Sequence, residues 1–195
     1  MSRTSQIHRN TGETDVQLSL DLDGTGAGGR ETGVGFFDHL LDAVARHGLL
    51  DLDVRVDGDL ETGPHHTVED TGIALGQAID EALGDRSGIR RFGHAIVPMD
   101  EARASAAIDI SGRPFMALEG MFGAERVGDF DTDLVEEFFR AVANAAKLTL
   151  HVRVEAGTNA HHMVEASFKA FARALRAAVE DDGRETAVPS TKGVL

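Results

Sequence analysis

Two five-residue stretches carry the residue types of a metal site: "HHTVE" at 65–69 and "HHMVE" at 161–165. On a helix, residues i, i+3 and i+4 share a face, so His65 or His66 can meet Glu69, and His161 or His162 can meet Glu165, around one cation. A helix start alone would account for Glu69 and Asp70 through the positive end of the dipole, but not for the histidines. The pair also occurs twice, which makes divalent-metal binding the reading to carry forward. The chain has no cysteine, so a metal must be held by imidazole and carboxylate. Such a set suits Mn, Fe or Zn and leans toward Mn as carboxylates accumulate. His39 and its counterpart Glu137 are further candidate ligands, although His39 by itself reads as a solvated helix position. His47 shares its helix with His39, but its counterpart Ala145 cannot ligate, so it is read as a substrate contact or a neighbour of the site. His8 and His94 read as surface residues, and His151 as exposed on a strand.

Anion chemistry has weaker signals. The cluster "DRSGIRRFGHA" (85–95), with Arg113 in "SGRPF", could clamp a phosphate through guanidinium forks or be ordinary surface arginine. "PSTKGVL" (189–195) reads as a frayed tail or as an anion-gripping lid using Ser190, Thr191 and Lys192. "GTGAGG" (24–29) fits a dinucleotide fingerprint formally, but no helix follows at the required place, so a glycine-rich hairpin turn is expected.

The elements that must position these residues come in two copies. "FFDHLLDAVARHGLLDLDVRV" (36–56) aligns with "LVEEFFRAVANAAKLTLHVRV" (134–154) at an offset of 98, setting His39 on Glu137. "HHTVE" meets "HHMVE" at an offset of 96, and "ETDVQLSLDLDG" (13–24) meets "EARASAAIDISG" (101–112) at 88. Val16, Leu18, Leu20 and Leu22 alternate as in a half-buried strand, while Phe37, Leu40, Leu41 and Val44 have helical spacing. Each unit reads as β-β-α-β-α, its second strand expected in the irregular stretch after the first. The expected fold is α+β, a tandem duplication with sheets on one side and helices on the other, the copies side by side. The first half-repeat is placed at 1–98 and the second at 99–195, together one domain.

At 195 residues, 42% hydrophobic and 27% charged, the chain has the composition of a soluble globular protein. No apolar run approaches the ~20 residues that span a bilayer, and the start lacks a signal-peptide core, so a cytoplasmic protein is expected. A net charge of −14 argues against nucleic-acid or anionic-membrane partners. An anionic substrate would need specific Arg or Lys residues to hold it.

The stretches "GETDV", "FFDHLLDAVARHG", "HHTVEDTGIALG", "GIRRFGHAIVPMDEA", "DISGRPF", "HHMVEASFKAFARALR" and "PSTKGVL" together closely resemble the imidazoleglycerol-phosphate dehydratase family, from about residue 7 to the C-terminus. The resemblance implies a fold of two halves like the second domain of ribosomal protein S5. It implies two Mn²⁺ per active site, in a homo-oligomer of 24 subunits with sites at subunit interfaces, working in histidine biosynthesis. Family metal ligands fall on His39, His65, His66, Glu69, His161, His162 and Glu165. A further ligand, commonly His in "VEHFF", is Glu137 in this chain's "VEEFF". The reaction implied is loss of water from imidazole glycerol phosphate to give imidazole acetol phosphate, with metal stabilising the substrate's imidazolate so that the ring expels hydroxide. Glu13 matches the acid/base glutamate. Substrate contacts are implied for Glu13, His39, His47, Arg91, Arg113, Ser190, Thr191 and Lys192. A dinuclear hydrolase and a metal-buffering cage are the rival readings. The first leaves the arginines and the "STK" tail little to do, and the second leaves Glu13 none.

Overall fold

The computed structural model describes residues 3–195. In the first half, strand β1 (Thr4–Asn10) forms an antiparallel hairpin with β2 (Thr14–Asp21). A short β3 (Arg30–Glu31), helix α1 (Gly35–Gly48), strand β4 (Asp51–Gly58) and helix α2 (His65–Leu83) follow. The second half repeats the order with β5 (Phe92–Met99), β6 (Ala102–Asp109), β7 (Phe115–Glu119), α3 (Leu134–Ala145), β10 (Thr149–Ala156) and α4 (Ala160–Val179); β5 pairs with β6, so the second sheet begins at Phe92, ahead of the expected division between 98 and 99. A two-stranded ribbon, β8 (Arg126–Val127) with β9 (Phe130–Asp131), is inserted before α3. The sheet orders are β1-β2-β4-β3 and β5-β6-β10-β7.

The expected β-β-α-β-α unit is present twice, as β1-β2-α1-β4-α2 and β5-β6-α3-β10-α4, with one extra strand in each four-stranded sheet, β3 or β7, besides the β8–β9 ribbon. The hairpin partner of β2 precedes it, whereas the segment after it adds β3 to the other edge, parallel to β4. Likewise β7 pairs in parallel with β10. Duplication reaches the backbone. Helix α1 ends on Leu49 at φ 52° with Leu50 N–H donating to Ala45, and α3 ends on Lys147 at φ 54° with Leu148 N–H donating to Ala143. Two non-glycine residues in the left-handed region at equivalent places mark one inherited helix stop.

Alternation in the strands buries one face of each sheet. Val16, Leu18 and Leu20 register with Val56, Val54 and Leu52, and Ala106 and Ile108 with Val152 and Leu150. Each half has its sheet on one side and its helices on the other. The halves then meet through helices rather than edge to edge, α2 packing on α3 and α1 on α4. The reason is legible in two glycines. A Cβ on Gly72 would lie 2.8 Å from that of Ala141, and one on Gly76 2.6 Å from that of Ala145, so α2 lies almost backbone to backbone on α3. Phe138, Phe139, Phe168 and Phe171 fill the shared core, all fully buried.

The 24–29 segment is a crossover rather than a hairpin turn. Its N–H groups at Thr25, Gly26 and Ala27 all donate to the Asp51 carboxylate, at 2.7–3.1 Å. An Asp in the chain itself occupies the place a phosphate would need, and the strand that follows pairs with β4 in parallel.

Candidate metal and phosphate site

Helix α1 presents His39, and the first turns of α4 present His161 and Glu165. Asn159 starts α4 by accepting the His161 N–H at 2.9 Å, as an N-cap should. His39 Nε2 and His161 Nε2 each lie 3.1 Å from the same Glu165 oxygen, Oε2. Phe36 flanks both rings, its centroid 4.7 Å from that of His161 and 6.1 Å from that of His39. Glu165 is buried. Burial alone would raise its pKa, but Lys169 Nζ at 2.6 Å from Oε1 and His39 outweigh it and hold the carboxyl down to about 2. An anionic oxygen is thus held ready between two imidazoles.

Among the described residues, His39, His161 and Glu165 form the one cluster of three ligand-type side chains whose donor atoms all lie within 4.8 Å. Ligands about 2.0–2.2 Å from a common divalent ion sit about 3 Å from one another, and each histidine nitrogen stands at about that spacing from the shared Glu165 oxygen. The counterparts in the other half are looser. His65 Nε2 stands 3.8 Å from Glu69 Oε2, and Glu137 is taken by Arg140 Nη1 at 2.6 Å.

The second histidine of each pair points elsewhere. His66 Nδ1 lies 3.0 Å from Asp59 Oδ2, with its Nε2 3.6 Å from Glu13 Oε1. His162 Nδ1 lies 2.8 Å from Glu101 Oε2, with Asp100 near Nε2. The Asp59 hydrogen bond raises the His66 pKa and the Glu101 hydrogen bond raises that of His162. Glu101, bonded by His162 and by the N–H groups of Asn159 and Thr158, is held down at about 2. A carboxylate on one imidazole nitrogen orients the ring and leaves the other nitrogen free to ligate. His47 lies further along α1, its pKa lowered by partial burial and by the charges of Lys169 and Arg173.

The phosphate candidates also gather, at the other end of α4. Arg91 takes φ 69°, unusual for a side-chain-bearing residue, where its N–H donates to Ala178 O. Its Nε and Nη2 grip Asp109 at 2.7 and 3.2 Å, and its Nη1 donates to Pro189 O. Arg113, two-thirds exposed, leans on the same Asp109. The C-terminal segment is therefore docked rather than frayed. Gly88 N–H holds Ala187 O, and Ser190 Oγ accepts the Lys192 N–H at 3.2 Å. Ser190, Thr191 and Lys192 follow directly on the carbonyl that Arg91 holds.

The structure thus joins His39, His161 and Glu165, brings Glu13 to His66, and sets Arg91 and Arg113 beside the tail, while Glu137 stays with Arg140. Four neighbours escaped the motif reading. Lys169 had a signal, four residues after Glu165 on a helix. Glu101 had one too, as the repeat counterpart of Glu13. Asp59, in a loop, and Phe36, readable as core, had none.

A family model described as imidazoleglycerol-phosphate dehydratase matches residues 32–175. The chain is 60% identical to the imidazoleglycerol-phosphate dehydratase of Gluconacetobacter diazotrophicus, over 100% of this chain and 98% of that one. It is 54% identical to that of Acetivibrio thermocellus over the whole of both. The chain belongs to the imidazoleglycerol-phosphate dehydratase family. Its fold agrees with solved imidazoleglycerol-phosphate dehydratases. The Staphylococcus aureus structure has a TM-score of 0.83 at 40% identity, covering 91% of this chain and 99% of that one. That of Pyrococcus furiosus has a TM-score of 0.84 at 36% identity, covering 97% and 100%. Membership in the dehydratase family makes this a hydro-lyase of histidine biosynthesis, and the histidine–carboxylate cluster is a set of side chains that could hold a metal ion. No helix among the described residues is long and apolar enough to cross a membrane.

Proposed function

We propose that this chain removes water from D-erythro-imidazole glycerol phosphate to give imidazole acetol phosphate, with two Mn²⁺ ions per active site, in the cytoplasm. The observation that carries the reading is His39, His161 and Glu165 converging while an arginine pair and the Ser-Thr-Lys tail gather elsewhere on the same chain. One end of the substrate is a ring with two ligating nitrogens and the other is a phosphate dianion. His39, His161 and Glu165 would hold one ion, and His65, Glu69 and Glu137 its counterpart, with His66 and His162 completing the sets. Bound there, the metals would stabilise negative charge on the substrate's ring and ease the departure of hydroxide.

The chain's own groups do the rest. Arg91, Arg113, Ser190, Thr191 and Lys192 hold the phosphate through charge-assisted hydrogen bonds, which also offsets the acidic field of the protein. Glu13 sits in the β1–β2 turn, its N–H donating to Thr11 Oγ1 at 3.1 Å and its carbonyl accepting from Asp59 N–H. That rigid turn holds an exposed carboxylate beside His66, placed to take the proton from the carbon next to the leaving group and return it on tautomerisation. His47, held toward its neutral form by partial burial and the nearby positive charges, is assigned a substrate contact from its place on the helix of His39.

With these assignments a single chain would not complete the site. Thirteen residues of α4 separate Glu165 from Ala178, about 20 Å at helical rise. The substrate's ring and phosphate are joined by only three carbons. On this reading subunits share sites, in line with the 24-subunit assembly that the family resemblance implies. The deciding experiment is incubation of Mn²⁺-loaded protein with imidazole glycerol phosphate. Imidazole acetol phosphate is expected, and the absence of product, or release of inorganic phosphate instead, would overturn the proposal. Glu13→Gln should lower kcat by at least ~100-fold with little change in substrate affinity.

A further inference from the structure

We propose that the two ion sites of this chain are chemically unequal, and that the carboxylate-richer one is held by Arg140, which an incoming ion must displace from Glu137. The inference rests on the metal-site reading above. The internal repeat maps His39, His161 and Glu165 onto Glu137, His65 and Glu69. Packing supports the match. Gly72 of α2 abuts Phe138 and Ala141, and Gly76 abuts Val142 and Ala145, so one turn further back residues 65–69 come level with the start of α3, where Glu137 stands.

The two sites differ in their cations. On α4, Lys169 pairs with Glu165 at 2.6 Å, but its counterpart on α2 is Ile73. On α3, Arg140 pairs with Glu137 at 2.6 Å and also with Glu136, while its counterpart on α1 is Asp42, which pairs with Arg30 at 3.2 Å. The balancing cation has crossed from the helix carrying the His-His pair to the helix facing it.

One site therefore offers two imidazoles and a carboxylate, with its lysine bound to the far oxygen Oε1 and Oε2 left to the histidines. The other offers one imidazole and two carboxylates, one of them occupied by a guanidinium. Carboxylates suit Mn²⁺ and imidazoles suit Zn²⁺, so the ratio of Mn²⁺ to Zn²⁺ affinity should be higher at the carboxylate-rich site than at the imidazole-rich one. Arg140 can give up Glu137 without being left unpaired, because Glu136 remains on its own helix face. It competes with the ion and balances the adjacent Glu136 and Glu137 carboxylates when none is present.

The test is calorimetric titration of metal-free, assembled full-length protein with Mn²⁺ and with Zn²⁺, the Mn²⁺ count checked by electron paramagnetic resonance. Wild-type protein should show two binding steps whose ratio of affinities differs between the ions. Arg140→Gln should tighten Mn²⁺ at one step only, by roughly two- to fivefold, the worth of an exposed ion pair. Glu137→Gln should remove that step and spare the other. Glu137→His should bring the two Zn²⁺ affinities together. A merely structural role for Arg140 would shift the melting temperature and leave the individual steps alone. Two identical steps in wild-type protein, or an Arg140→Gln variant that changes neither step or both alike, would overturn the inference while leaving the dehydratase reading intact. A folded assembly binding no Mn²⁺ at all would overturn both.

Discussion

Four histidines stand in two chemically distinct pairs, and their electrostatics can be read out in the metal-free protein. His162 and His66 have raised pKa values because Glu101 and Asp59 accept from them, so the stability these bonds contribute is present below the ordinary histidine value, about 6.5. It is lost as pH climbs through the raised value. The carboxylate side runs the other way. Glu101, held at about 2, contributes above the ordinary carboxylate range and loses that contribution as pH falls toward 2. Glu101→Gln should therefore cost metal-free protein most between about pH 4.5 and 6.5, the cost shrinking on both sides, measured by urea unfolding across pH. A pH-independent cost would contradict it. Metal affinity should instead rise with pH through the same interval, since ligation needs neutral imidazole. The histidines were legible in the sequence because they recur, and Glu101 was legible through Glu13. Asp59 was not, because a loop aspartate has no periodicity to betray which ring it meets.

At the scale of elements, strands and helices with strong apolar periodicity were legible and weak ones were not. β2, β4, β6 and β10 show clean alternation because one face is buried. β3, two residues long, takes its identity wholly from parallel pairing with β4, and β1 carries a single partly buried apolar residue, Ile7. The contact of α2 with α3 was hidden for another reason: glycines carry no hydrophobic signal, yet Gly72 and Gly76 set how close the helices come. Gly76→Val should push α3 away, because the new side chain meets Ala145 Cβ and the Val142 carbonyl. Overpacking of this kind costs about 1–3 kcal/mol. In a chain of this size that lowers the melting temperature by roughly 3–10 °C. Calorimetry would show it, and weaker Mn²⁺ binding at the Glu137 side should accompany it because the same contact sets that helix register. A fully stable Gly76→Val protein would mean the helices have slack that the close approach does not show.

At the scale of the molecule, α4 acts as a spacer. Its N-terminal turns carry His161 and Glu165, its C-terminal turn receives Arg91, and about 20 Å of helix separates the two ends. No periodicity could reveal this, since it depends on which strand docks where: β5 lies along α4, with Gly93 against Ala174 and Met99 beside Lys169. If each active site takes its metal residues from one subunit and its phosphate clamp from another, two inactive variants should rescue each other. Glu165→Gln removes the carboxylate shared by His39 and His161 and should abolish turnover, and Arg91→Gln should do so by loss of phosphate affinity. Mixed, dissociated and reassembled in equal amounts, they should regain activity up to about a quarter of wild type, since half the chains supply each intact part and symmetric assembly combines them at random. Mixing without dissociation should restore nothing, which separates true complementation from contaminating wild-type protein. Reassembled mixtures that stay inactive while sedimenting at wild-type size would place both ends of the substrate on one chain, against the geometry of α4.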